Sequence, residues 1–234
     1  MPFELLNVPD VAGHEVIPAL LLHQGEAVGG DAVFVEVGRQ DGGHLFLIVD
    51  VCGHGPPAAR IVQDLGSLYL PLPRCDNKQP GILLAALNDA LQLEFFHSGR
   101  FVAALAVLID AGGLTAANAG QPDPWIGEPG GTWQAWTVPG GTFLGVAPLG
   151  AKYDEEAIQL PADSHFLAFT DGVTEAGRGR SALFAKGHLP AFLAGLPAGL
   201  SAGLLVVRLL QALQIHAGQG WPEDDTAVLC VRRF

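Results

Sequence analysis

Basic residues are scarce in this chain. Twelve Lys and Arg stand against 24 Asp and Glu, for a formal charge of −12. Gripping a nucleic-acid backbone takes clustered Lys and Arg, so the composition argues against that partner. Cysteine is scarcer still. Cys52, Cys75 and Cys230 are too few and too scattered for a disulfide framework, and none forms the C-x-x-C pair of a zinc or redox site. They fit a reducing cytoplasm. Long apolar runs are missing too. The run from Phe101 to Ile109 is about half the length needed to cross a bilayer and stops at Asp110. The opening Met1-Pro2-Phe3-Glu4-Leu5-Leu6 has neither the basic start nor the apolar stretch of a signal peptide. No G-x-x-x-x-G-K-[ST] occurs and no G-x-G-x-x-G follows a strand, which leaves a nucleotide enzyme without support. The expectation is a cytoplasmic protein that engages neither membrane nor nucleic acid.

What is present is apolar residue, 49% of the chain, enough for a sizeable core. No linker or repeat divides it, so one domain is expected over residues 12–234 after a short lead at 1–11. Apolar, β-branched segments bounded by glycine-containing turns predict strands at His14 to Leu22, Ala32 to Val37 and His44 to Asp50. Gln40-Asp41-Gly42-Gly43 reads as the turn between the last two. Pro56 to Leu70 and Gly81 to Phe96 place apolar residues on one helical face, and Pro71 to Pro80 reads as the loop between them. A hairpin over Val102 to Ile109 and Leu114 to Asn118, short strands near Trp125 and Trp133 to Val138, and a strand at His165 to Thr170 follow. A helix at Leu200 to His216 and a strand at Thr226 to Arg232 close the sequence. This is not the regular βαβ alternation of a parallel sheet. It predicts an α+β fold of antiparallel sheets with helices packed outside.

Aspartates recur where these strands begin or end. Gly29-Gly30-Asp31 opens one strand. Asp50 closes another and runs into Val51-Cys52-Gly53-His54-Gly55. Asp171-Gly172 follows a third, and Asp224-Asp225 precedes the last. Each motif alone has an ordinary reading as a turn, a cap or a solvated acid. Together they suggest an oxygen-rich pocket, and carboxylates held close repel unless a counter-charge enters. Mg²⁺ and Mn²⁺ prefer such hard oxygen ligands. Neighbouring glycines let backbone, water or substrate approach closely.

The order Gly29-Gly30-Asp31, Asp50 to Gly55, Ala117-Asn118-Ala119-Gly120, Thr170-Asp171-Gly172-Val173-Thr174-Glu175-Ala176 and Glu223-Asp224-Asp225 resembles the SpoIIE-type branch of the PPM metal-dependent protein phosphatases. Gly141 to Val146 and Phe101 to Leu105 match family segments as well. The resemblance implies an antiparallel β-sandwich flanked by helices on both faces, a four-layer αββα arrangement. It implies two divalent ions, Mn²⁺ or Mg²⁺. Asp50 would bridge them, the Val51 carbonyl and Asp31 would serve the first, and Asp171 and Asp224 the second. Asp224 is aligned as the ligand rather than Asp225, although the register leaves both open. A metal-activated water would attack the phosphoryl group, and His54 is a candidate general acid for the serine leaving group. The implied substrate is a phosphorylated protein, such as an anti-sigma-factor antagonist of bacterial partner switching.

Three positions depart from the family pattern. Phe34 stands where a second acid is common, Gln121 where a His follows Ala-Asn-Ala-Gly, and Ala103 where a Thr is common. Loss of the acid at Phe34 is expected to weaken binding of the first or an additional metal. It is also the support for an alternative reading, a catalytically weak phosphatase-like module that sequesters a regulator. About a dozen residues precede the matching region, so regulation is expected from a separate protein or from oligomerisation.

Overall fold

The computed structural model describes residues 4–5, 8, 13–22, 28–36, 43–53, 55–69, 79–95, 100–111, 113–177, 183–185, 187–217 and 224–234. The predicted turn residues Gln40, Asp41 and Gly42, loop residues 71–78, Cys75, His54 and Glu223 lie outside them. In chain order the strands are β1 (Glu4–Leu5), β2 (His14–Leu21), β3 (Asp31–Glu36), β4 (His44–Val51), β5 (Val102–Asp110), β6 (Gly113–Ala119), β7 (Trp125–Gly127), β8 (Trp133–Ala135), β9 (Glu155–Ile158), β10 (His165–Phe169) and β11 (Thr226–Arg233). The helices are α1 (Pro56–Tyr69), α2 (Pro80–Phe95), α3 (Asp171–Thr174), α4 (His188–Ala194) and α5 (Ala202–His216). They form two compact units, one of Val28–Gln121 and Val138–Gln159, the other of Met1–Ala27, Pro122–Thr137 and Leu160–Phe234.

The first unit holds a five-stranded antiparallel sheet in the order β3-β4-β5-β6-β9. Leu45, Leu47, Val49 and Val51 of β4 join Val102, Ala104 and Ala106 of β5 in a core roofed by α1 and α2. The alternate residues Phe46 and Ile48 are fully buried as well. A strand covered on both faces reads as a continuous apolar run, which Leu45 to Val49 is. Helix α1 begins where the Gly55 carbonyl accepts the Ala58 and Ala59 N–H groups at 3.1 and 3.0 Å. Its buried residues Ala58, Ile61, Leu65 and Tyr69 recur at helical spacing. The Tyr69 hydroxyl donates to the buried Leu45 carbonyl at 2.9 Å and fixes the helix over the sheet.

The second unit holds a six-stranded antiparallel sheet in the order β1-β2-β11-β10-β7-β8. Leu205, Val206, Leu209, Leu210 and Leu213 of α5 pack with Leu167, Phe169, Val228 and Cys230 of the sheet. The Ser201 hydroxyl caps α5, accepting the Leu204 N–H at 3.2 Å, so the helix starts at Ala202 rather than Leu200. Glu15 on β2 accepts the Ala202 N–H at 2.9 Å, placing a carboxylate at the positive end of the helix dipole. The thiols of Cys52 and Cys230 are free.

Four of the described elements escaped the sequence pattern. Strand β1 is two residues long and falls in the stretch read as a lead. Strand β9, Glu-Glu-Ala-Ile, has weak strand formers at three of its four positions and lies at a sheet edge, so pairing with β6 rather than propensity makes it a strand. Helix α4 carries Pro190 in its first turn, where no intrahelical N–H bond is lost. Helix α3 is a single turn.

Candidate functional site

The five-stranded unit brings Asp31 and Asp50 together. Asp31 is the first residue of β3, Asp50 is the next to last of β4, and the ladder sets them directly opposite each other. Their neighbours Ala32, Val49 and Val51 face the helix-side core. Side chains alternate along a strand, so both aspartates turn to the other face. Directly opposed side chains on one face start about 4.5–5.5 Å apart at Cβ, close enough for two carboxylates to feel each other strongly. Asp31 is buried and Asp50 half-buried. Beside them the Gly30 carbonyl accepts the Val51 N–H at 3.1 Å. A Cβ on Gly30 would stand 2.9 Å from the Val51 carbonyl oxygen and 3.1 Å from that of Gly53. Glycine therefore gives both carbonyl oxygens room to lie close against this backbone. The Arg100 guanidinium donates to the Cys52 carbonyl at 2.7 Å and braces this turn.

The six-stranded unit brings Asp171 and Asp224 within electrostatic reach. Asp171 follows β10 as the first residue of α3, and Asp224 occupies the bend before β11; β10 and β11 are paired neighbours. Burial pushes the Asp171 carboxyl up to about 6, and the negative charges of Asp224 and Glu175 push in the same direction. A hydrogen bond from Gly172 opposes them. Thr170 ties the corner together. Its N–H donates to the Ala227 carbonyl at 3.0 Å, and its hydroxyl accepts the Ala227 N–H at 2.9 Å. Gly172 has no room for a side chain, because a Cβ would lie 1.9 Å from the Asp225 carbonyl oxygen. Asp224 is exposed, whereas Asp225 is buried and donates its N–H to the Asp224 carboxylate at 2.9 Å.

These donors fit a hard divalent cation. Among the described residues no three His, Cys, Asp or Glu side chains gather into one ligand set. What the sequence supplies instead is two carboxylate pairs, one per unit, with the Val51 and Gly53 carbonyls close to Gly30 beside the first. Ionised Asp171 costs free energy in the absence of a counter-ion, as its raised pKa records, and a cation offsets that cost. His54 lies outside the described residues.

The departures at Phe34, Ala103 and Gln121 take clear positions. Phe34 packs on Tyr69, with ring centroids 5.6 Å apart, and lies over Gly66 on the helix side of β3. An acid there would point away from Asp31 and Asp50, so the geometry offers no route by which Phe34 weakens that pair. Ala103 stands opposite Asp50 on β5. Gln121 donates from Nε2 to the Ala103 carbonyl at 3.1 Å and exchanges two bonds with Asn118. It thus ties the end of β6 to β5. The Thr170 clamp and the Arg100 brace were missed in the sequence. A threonine before Asp-Gly is the one local signal for the first, and nothing in the local pattern announces the second.

The family model described as Stage II sporulation protein E (SpoIIE) matches residues 40–234. A search of curated proteins finds no match. Among solved structures, the SiaA-PP2C domain of Pseudomonas aeruginosa is 20% identical with a TM-score of 0.77, covering 95% of this chain and 86% of that one. The RsbU and RsbW domains of Rv1364c from Mycobacterium tuberculosis are 21% identical with a TM-score of 0.76, covering 96% of this chain and 61% of that one. RsbX in complex with magnesium is 15% identical with a TM-score of 0.67, covering 100% of both. At these identities the structures speak for the fold, and the family match spans well over half of the sequence. With its two antiparallel sheets, its helices and its strand-end aspartates, the chain belongs to the SpoIIE family of PP2C-type, metal-dependent protein phosphatases.

Proposed function

We propose that the protein hydrolyses phosphoserine or phosphothreonine in a bacterial signalling protein of the anti-sigma-factor-antagonist kind, with two Mn²⁺ or Mg²⁺ ions as cofactors. The observation that carries this reading is the pairing of carboxylates: Asp31 opposite Asp50 in one ladder, and Asp171, whose ionised form is disfavoured first by burial and then by the charge of Asp224. Asp31, Asp50 and the Val51 carbonyl would hold one ion, and Asp171 and Asp224 another. When bound, the ions supply charge neutralisation for the phosphoryl group and an activated water for in-line attack. The chain's own residues position that chemistry. Gly30 makes room for the Val51 and Gly53 carbonyl oxygens, and Thr170 holds the backbone from which Asp171 projects. His54 is the candidate proton donor to the departing serine oxygen. The substrate class draws on the similarity to a structure bearing RsbU and RsbW domains. No helix of the described residues is long and apolar enough to cross a membrane, and a cytoplasmic setting is part of the proposal. A non-catalytic sequestering module loses its main support, because Phe34 stands on the face away from the aspartates.

The test is hydrolysis of p-nitrophenyl phosphate and of a phosphoserine protein with Mn²⁺ present and after EDTA. Activity that appears with Mn²⁺ and stops on chelation is expected. Undiminished activity in the chelated sample overturns the two-ion reading.

A further inference from the structure

Surface loops usually turn polar side chains to water and apolar ones to the core. Residues 143–150 of the five-stranded unit have no polar side chain to turn to water. The fully buried Asn88 of α2 donates to the Ala147 and Pro148 carbonyls at 3.2 and 3.3 Å and accepts the Gly145 N–H at 3.1 Å. Gln92 donates to the Gly145 and Ala147 carbonyls, each at 2.9 Å. Asp89 accepts the Gly150 N–H at 2.9 Å. One helix thus fastens the loop's backbone through polar side chains, while Leu144 and Ala147 fill the core beneath it. Left facing outward are Phe143, Val146 and Leu149, 37%, 49% and 60% exposed. Phe101 joins them, its ring centroid 4.9 Å from that of Phe143. The fastened backbone holds these side chains out in water, where apolar surface is costly unless something covers it.

The patch adjoins the segment that carries Asp50. Phe101 accepts the Cys52 N–H at 3.0 Å through its carbonyl and donates its own N–H to the Cys52 sulfur at 3.2 Å. Val102 stands opposite Val51, and the Leu144 backbone pairs with Val102. A phosphoserine side chain is small and polar and offers apolar side chains nothing to hold. The polypeptide on either side of it does, and binding energy from such remote contacts can be used at the reacting centre. We infer that Phe101, Phe143, Val146 and Leu149 form a docking rim for apolar residues flanking the phosphorylated serine or threonine of the substrate protein. This rests on the phosphatase reading above.

The experiment uses the full chain loaded with Mn²⁺ and two synthetic phosphoserine peptides of equal length and charge. One carries Leu and Phe around the phosphoserine, the other Ser and Gln; p-nitrophenyl phosphate, which has no flanking chain, serves as control. The wild type is expected to favour the apolar peptide by about tenfold or more in kcat/KM. The double variant Val146→Ser, Leu149→Ser is expected to lose that preference while turning over p-nitrophenyl phosphate as before. Both positions are exposed, so the variant should fold. Equal kcat/KM for the two peptides, with p-nitrophenyl phosphate still hydrolysed, overturns the rim alone. A preference that survives in the variant overturns it too, as does a dimer that dissociates on substitution without a change in preference, since the patch would then belong to a second copy. Failure to hydrolyse any of the three substrates overturns the phosphatase reading and the rim with it.

Discussion

The two units hold their acidic pairs in different ways. In the five-stranded unit Asp31 and Asp50 are rungs of a β ladder, and their separation is set by backbone hydrogen bonds that exist whether or not a cation is present. In the six-stranded unit Asp171 and Asp224 lie just beyond the ends of paired strands, on a single helical turn and in a bend. Their placement depends on a threonine clamp and on a glycine that admits a neighbouring carbonyl. The first pair is therefore built in, and the second is propped. A ladder resists substitution of its side chains, whereas a propped corner responds to changes in residues that never touch a ligand.

The strongest test of that contrast is Asp50→Asn. It should cut turnover by at least about 100-fold, roughly 2.7 kcal/mol of transition-state stabilisation, with circular dichroism unchanged because the ladder needs only backbone. A folded mutant that keeps more than about a tenth of wild-type activity would move the essential ligand elsewhere. The two glycines come next. Gly172→Ala forces a methyl group onto the Asp225 carbonyl and should cost about 1–3 kcal/mol in denaturant unfolding. Gly30→Ala meets the Val51 and Gly53 oxygens less closely and should reduce metal affinity with a smaller stability loss. Equal stability losses in the two variants would erase the distinction between built-in and propped.

A finer test separates Asp224 from Asp225. Asp224→Asn should weaken metal affinity in calorimetric titration and leave the melting temperature near that of the wild type, since the side chain is exposed. Asp225→Asn should lower stability by about 1–3 kcal/mol, because the group is buried, and change metal affinity less. A larger affinity loss in Asp225→Asn would shift the assignment by one residue.

The smallest effect expected concerns His165, which is buried on β10 and donates from Nε2 to the Leu200 carbonyl at 2.7 Å. Burial lowers its pKa below the ordinary 6.5, partly opposed by that hydrogen bond. Below about pH 6.5 the unfolded chain then binds more protons than the folded one, so this residue makes stability fall as pH drops. Urea unfolding from about pH 7.5 to pH 5 should show a shallower loss in His165→Gln than in the wild type. An unchanged slope would assign the acid sensitivity to other groups.

Much of this molecule could be read from residues in order. The apolar runs of β4, β5 and β10 and the helical stripes of α1, α2 and α5 gave the α+β class, because burial imposes a period on sequence. Aspartates at strand ends were equally visible. What pairs with what was not: register decides that Asp31 faces Asp50, and register is a long-range property. The same holds for Phe34, whose position three residues past Asp31 looked relevant until alternation set it on the opposite face against Tyr69. Asp225 looked like a turn residue, since no local pattern shows that a charged side chain is about to be buried.

The sheet order of the six-stranded unit also bears on the timing of assembly. Strand β11 comes last among the described strands, yet it lies in the interior of its sheet, between β2 and β10. During synthesis β2 and β10 each emerge with one edge unpaired, and they stay so until Thr226–Arg233 clears the ribosome and inserts between them. Pairing across so long a stretch of sequence is slow, and open strand edges invite wrong partners while they wait. The six-stranded unit is thus most exposed to misassembly in the interval before β11 emerges.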